Sequence, residues 1–113
     1  MNNQQENPTN LSAHVFDLAG LIDYHTDSIV SREVLSKKTG TVTVFAFAQE
    51  QGLSEHTVPF DALVYILEGK AKITISGQDY TLNNGEMITM PANEPHALMA
   101  LGEFKMVLVM IKS

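Results

Sequence analysis

Apolar positions along this chain come in short bursts, each closed by a turn signal, and they follow a strand-like rather than a helical period. The first burst is Ser28 to Val34, and Lys37-Lys38-Thr39-Gly40 has the composition of a hairpin turn into Thr41 to Ala48. Gln51-Gly52 ends that run. His56 to Val58 and Ala62 to Leu67 follow, separated at Pro59, and Glu68-Gly69 is expected to turn the chain into Lys72 to Ile75. Ser76-Gly77-Gln78-Asp79 and Asn83-Asn84-Gly85 bracket Tyr80 to Leu82, after which come Met87 to Met90, His96 to Ala100 and Phe104 to Lys112. Short strands punctuated by Gly, Asn and Pro predict an all-β sandwich or barrel. Only Leu18 to Tyr24 has a helical pattern, and it is one or two turns long. With no internal repeat and no long linker, residues 11–113 are expected to be a single domain. Residues 1–10, rich in Asn and Gln, are expected to be a disordered tail.

Two of these runs, Val42 to Ala48 and Met106 to Ile111, are apolar at successive positions and so on both faces. An antiparallel strand with one wet face alternates instead. Both faces must therefore be covered, and the economical cover is a second copy of the chain, so a homodimer is expected. The competing reading is a strand enclosed within a small sandwich.

Composition narrows the partners. Apolar residues make up 44% and charged residues 18% of 113 residues, which suits a packed core and excludes a disordered chain. Seven basic against 13 acidic residues give a net charge of −6. That balance, with no basic cluster beyond Lys37-Lys38, argues against nucleic acid. The absence of cysteine excludes disulfides, thiolate metal sites and Cys nucleophiles. No apolar run approaches the ~20 residues of a membrane span. The N-terminus carries no apolar secretion segment either, so a cytoplasmic location with no membrane partner is expected.

The segment Gly52 to Ala100 resembles the conserved core of the cupin family. The family's first motif runs Gly, His-x-His, a short gap, Glu, six residues, Gly. Counting back from Gly69 puts His56 and Val58 at the His pair and Ala62 at the Glu. In the second motif Gly85, Pro91 and His96 fit without a gap, while Asn93 stands for the second Gly and Ala100 for the terminal Asn. Tyr65-Ile-Leu-Glu-Gly69 also resembles the family's strand ending. The resemblance implies an all-β jelly-roll of two antiparallel sheets, of the RmlC-like type. It also implies a four-ligand metal site, of which two ligands, His56 and His96, survive.

Strand parity agrees with that placement. It puts His56, Val58, Ala62, Val64 and Ile66 on one face, and His96, Leu98 and Ala100 on one face of another strand. Two neutral imidazoles converging inside a small barrel suit a divalent transition metal (Zn, Ni, Fe, Mn or Cu), but tight sites supply three or four protein ligands. Asp61 is the candidate third ligand if the strand shifts register at Pro59-Phe60. The opposing reading is a neutral, hydrogen-bonded His pair in an apolar interior with no metal. His14 and His25 lie outside both motifs and are expected at the surface. Glu55 is expected in solvent, and Met87, Met90, Met99, Met106 and Met110 are expected to fill the core.

Three functions follow from these readings. The first is a metal-binding cupin, for which the resemblance implies oxygenase-, isomerase- or lyase-type chemistry on a small organic acid, sugar or phenol. The second is a metal-free binding or sensing barrel, with a small-molecule pocket around Val58, Ala62, Val64, Leu98 and Ala100. The third is a structural homodimer with an inert pocket. No nucleophile–base pair, phosphate loop or paired carboxylate occupies the pocket positions, so the sequence assigns no reaction.

Overall fold

A computed structural model describes residues 11–112 of the chain. The disordered tail expected over residues 1–10 lies outside the described residues. Among the described residues there are seven antiparallel strands: β1 (Ile29–Lys37), β2 (Gly40–Phe47), β3 (Gly52–His56), β4 (Asp61–Ile75), β5 (Gln78–Asn83), β6 (Met87–Met90) and β7 (His96–Ile111). The first half of β4 and the second half of β7 pair with each other and, outward, with β6 and with β2–β1. The second half of β4 and the first half of β7 also pair, and are flanked by β5 and β3. Two long bent strands therefore serve two sheets at once, which is the jelly-roll arrangement expected from the sequence.

The predicted turns at Lys37–Gly40, at Ser76-Gly77 and at Asn84-Gly85 all connect strands. Glu68-Gly69 does not. There the register of β4 against β7 shifts between Ile66 and Glu68 and again between Gly69 and Ala71, so the chain bulges and continues. Gly69 has φ +88, and a Cβ there would lie 2.8 Å from the Phe104 Cα. A bulge that redirects a strand uses the same left-handed glycine as a turn. For the same reason the two runs expected at His96–Ala100 and Phe104–Lys112 are one strand, bent at Gly102 (φ +102). Two smaller corrections follow. Gly52 opens β3 rather than closing the strand before it, and the helical turn is a 3-10 segment of four residues, Leu18–Leu21.

The inward faces meet in one apolar core. Phe47 and Phe104 stack at 4.4 Å between ring centroids, with Val64, Ile66, Ile73 and Met106 buried around them. Each such side chain contributes roughly 1.5–3 kcal/mol by leaving water. A second, smaller core lies on the outer face of the larger sheet. Leu21 and Ile22 are buried there on Val44 and Ala46, joined by Leu11, Phe16 and Tyr24. The two-sided apolar pattern of β2 is thus met at this end by the chain's own N-terminal strap. No helix among the described residues is long and apolar enough to cross a membrane.

Candidate functional site

β3 carries His56 at its last position and β7 carries His96 at its first, and the two are cross-strand partners. Their rings lie edge to face, 4.4 Å between centroids and 69° between planes. Close approach of the strands begins at Gly52, where a Cβ would fall 2.6 Å from the Leu98 carbonyl oxygen, so only glycine fits. His96 is also held from the other side, opposite Ile75 of β4. The turn entering β7 is fixed by Asn93, which adopts φ 66 and donates its backbone N–H to the Val58 carbonyl at 2.8 Å. Asn tolerates the left-handed conformation better than other side chains, so it serves at the motif position where the family has glycine. Ser76 donates its backbone N–H to Pro95 O at 2.8 Å and its hydroxyl to the Glu94 carboxylate.

The two imidazoles have different surroundings. His96 is 4% exposed, whereas His56 is exposed at the end of β3. Each ring turns its Nδ1 towards a backbone carbonyl two residues back: Ser54 O at 2.8 Å for His56 and Glu94 O at 3.3 Å for His96. A neutral imidazole that donates from Nδ1 keeps its Nε2 lone pair free. Burial holds the His96 pKa below the ordinary imidazole value, and the neighbouring His56 pushes it down further. The bond to the Glu94 carbonyl opposes both effects without reversing them. His96 therefore favours the neutral, ligating form.

The other predicted site residues separate into groups. Ala62, Val64, Leu98 and Ala100 all point inward, but they belong to the packed core with Phe47, Met90 and Phe104. Val58 is half-buried just beyond β3. Asp61 is committed elsewhere, its Oδ1 accepting from the Ala92 backbone N–H at 2.9 Å. Among the described residues no group of three or more His, Asp or Glu side chains could hold a metal. The donor chemistry of the His pair fits a transition metal, but the donor number falls short of a resident metal centre. His14, His25 and Glu55 are exposed. Met90 and Met106 are buried as expected, whereas Met87 and Met99 are 47% and 41% exposed and do not fill the core.

One polar cluster was not foreseen. Lys105 is 8% exposed, donates to Ala19 O at 2.7 Å, lies 3.9 Å from a Glu68 carboxylate oxygen and sits 5.1 Å over the Tyr24 ring. Tyr24 donates its hydroxyl to the same Glu68 oxygen at 2.7 Å, and burial and that carboxylate together raise its pKa well above the ordinary phenol range. The signal was present: Lys105 is the only cation in the apolar run from Phe104 to Ile111.

Comparisons with known proteins agree with the fold. A search of curated proteins gives no significant match. Among solved structures, the chain is similar to a conserved protein of unknown function from Streptococcus pyogenes (39% identity, TM-score 0.85, 89% of each chain covered). It is similar to a cupin superfamily protein from Desulfitobacterium hafniense (28% identity, TM-score 0.85), over 89% of this chain and 93% of that one. It also matches a cupin 2 conserved barrel domain protein from Leptotrichia buccalis (35% identity, TM-score 0.83), over 86% of this chain but only 47% of the longer one. The cupin domain family matches residues 43–112, which include β3 to β7 and both histidines. With the motif spacing, the two shared bent strands and that match in agreement, the chain belongs to the cupin family.

Proposed function

We propose that this cupin is a small-molecule binding protein whose working site is the His56–His96 pair. In this reading the pair takes a divalent transition metal together with a small organic chelator rather than alone. The observation that carries the reading is the close approach of two rings whose Nδ1 atoms are both engaged. Each Nδ1 faces a backbone carbonyl, which leaves the Nε2 of each ring for a partner outside the chain. His96 is held neutral, so it accepts rather than repels a cation at neutral pH. Two imidazoles leave most of a metal's coordination positions open, and a bidentate carboxylate or hydroxy acid supplies what Val58 and Ala62 do not. When bound, the metal contributes Lewis acidity. His56 and His96 would position it at the edge of a dry apolar wall formed by Leu98 and its neighbours.

A metal-free reading has its own support. The inward positions beside the pair are filled by apolar side chains, and no third donor is at hand among the described residues. Calorimetric titration separates the two. Zinc and nickel are titrated into untagged, chelator-stripped protein, with and without saturating oxalate. Oxalate is expected to tighten metal uptake by roughly tenfold or more, about 1.4 kcal/mol, because it fills coordination positions that two imidazoles leave open. His56→Ala and His96→Ala should each abolish that uptake, and His14→Ala and His25→Ala should leave it intact. Restoring the missing ligands with Val58→His and Ala62→Glu should tighten binding without oxalate by roughly a hundredfold, as a four-ligand set requires. If neither wild type nor the restored variant binds metal, the metal reading fails and the metal-free one replaces it.

A further inference from the structure

The turn between β5 and β6 is built around two residues with a chemistry of their own. Asn84 is the one asparagine in the chain that is followed by glycine. The fold requires that glycine. Gly85 has φ +87, and the turn over Asn83–Glu86 is closed by the Glu86 N–H donating to Asn83 O at 2.9 Å. Nothing in the fold requires the asparagine. The Asn84 side chain is exposed and makes no hydrogen bond among the described residues, whereas the neighbouring Asn83 amide donates to Glu86 Oε1 at 3.2 Å. We propose that Asn84 is a site of spontaneous deamidation to isoaspartate, held back in the native fold by the hydrogen bonds of this turn.

In the step itself, the Gly85 backbone nitrogen attacks the Asn84 side-chain carbonyl carbon. A C–N bond forms, the bond to the side-chain nitrogen breaks, and ammonia leaves with the Gly85 proton. Water then opens the cyclic imide at either carbonyl, to aspartate or to isoaspartate. Water is the only co-reactant, and nothing is oxidised or reduced. Glycine favours the attack because it has no Cβ to hinder the approaching nitrogen. The native fold opposes it, because that nitrogen is already engaged: the Gly85 N–H donates to Ile66 O at 2.9 Å. The return bond, from the Ile66 N–H to Glu86 O at 2.9 Å, fixes the turn against β4 a second time. Glu86 adds a clamp, its Oε1 accepting the Asn83 backbone N–H at 2.7 Å as well as the Asn83 amide. Attack therefore waits for the turn to open away from β4, a local event that leaves the core folded. The product undoes the same turn. Isoaspartate lengthens the backbone by a methylene between β5 and β6 and adds a carboxylate beside Glu86, on a chain with a net charge of −6. The change falls against the bulge of β4, since Ile66 is the last paired residue before its register against β7 shifts.

The test is independent of the histidine site. The full chain is aged in mildly alkaline buffer with chelator, with and without denaturing guanidinium chloride. Peptide mass spectrometry with electron-transfer fragmentation locates the product and separates isoaspartate from aspartate. In denaturant, conversion should be fastest at Asn84, ahead of Asn83 and Asn93. In the native protein it should be slower by roughly tenfold or more, the factor set by the free energy of opening the turn. The ratio of the two rates is the readout, with each variant compared well below its unfolding midpoint. Glu86→Ala should bring the ratio down several-fold, and Glu86→Gln, which keeps the acceptor oxygen, should stay near wild type. Thr74→Ala, which breaks the bond to Asp79 in the neighbouring β4–β5 hairpin, should leave the ratio unchanged. Denatured chain that converts no faster at Asn84 than at Asn83 or Asn93 overturns the site. Equal rates in native and denatured protein overturn the protection. A ratio indifferent to Glu86→Ala, or one lowered as much by Thr74→Ala, overturns the role of this turn.

Discussion

β7 buries two polar side chains, His96 at one end and Lys105 towards the other, and their surroundings differ in a useful way. Lys105 is satisfied on every side: a carbonyl, a carboxylate and an aromatic face all belong to the strap or to β4. His96 has one long bond to its own turn and faces a second imidazole that also has a lone pair to spare. A buried polar group whose capacity is used up holds elements together. One with capacity left over is open to a partner outside the chain, water or ligand. In the proposed reading, the contrast makes Lys105 a structural residue and leaves His96 as the candidate for the site.

The sharpest way to break that contrast is to remove each polar head in turn. Lys105→Met should cost about 2 kcal/mol, because it leaves Ala19 O without its charged donor and Glu68 without its ion-pair partner while keeping the packed stem. Thermal unfolding should fall by roughly 10 °C for a domain of this size. His96→Leu should cost under about 1 kcal/mol, since an apolar side chain replaces a weakly bonded one in an apolar wall. Equal losses, or a larger one at His96, would show that the histidine is the structural residue after all.

A smaller test sharpens the Lys105 side. Tyr24→Phe removes only the hydroxyl that donates to Glu68 at 2.7 Å. It should cost about 1 kcal/mol in urea unfolding. Combined with Lys105→Met it should cost less than the sum, because both act on one carboxylate. Strict additivity would mean that the cluster is a set of separate contacts and not one clamp on the strap.

What could be read in the sequence follows the same division between local and long-range causes. The His pair was legible because the spacing between turn residues is a local property, and it survives the register shift of β3 against β7 between Leu53 and His56. The shortfall of metal ligands was legible as well: Val58 and Ala62 occupy positions where no neighbour can substitute, and Asp61 turns out to cap Ala92. The continuity of β4 and β7 was not legible, because Gly69 and Gly102 satisfy a bulge as readily as a turn. Nor was the strap. Leu11 to Tyr24 forms almost no regular structure and acts only through where it lands, on Val44 and Ala46. Lys105 was hidden by its strand, since a single cation in an apolar run has meaning only once Glu68, Tyr24 and Ala19 are seen around it.

The smallest expected effect is electrostatic and has a definite sign. His96 has its folded-state pKa depressed below the ordinary 6.5, first by burial and then by His56, with the Glu94 carbonyl opposing them. The unfolded chain therefore binds the proton more readily than the native one between 6.5 and the lower folded value. The stabilising effect of keeping His96 neutral is fully present above about pH 6.5 and is lost as pH falls through that window. In chelator, urea midpoints measured from pH 7.5 down to 5 should decline more steeply for the wild type than for His96→Leu, which cannot titrate. His56 is the only other imidazole facing this ring, so the double variant with His56→Ala should be no steeper than His96→Leu. Parallel profiles for wild type and His96→Leu would mean that the imidazole is solvated in the folded protein. A solvated His96 would remove the feature that sets it apart from an ordinary surface histidine.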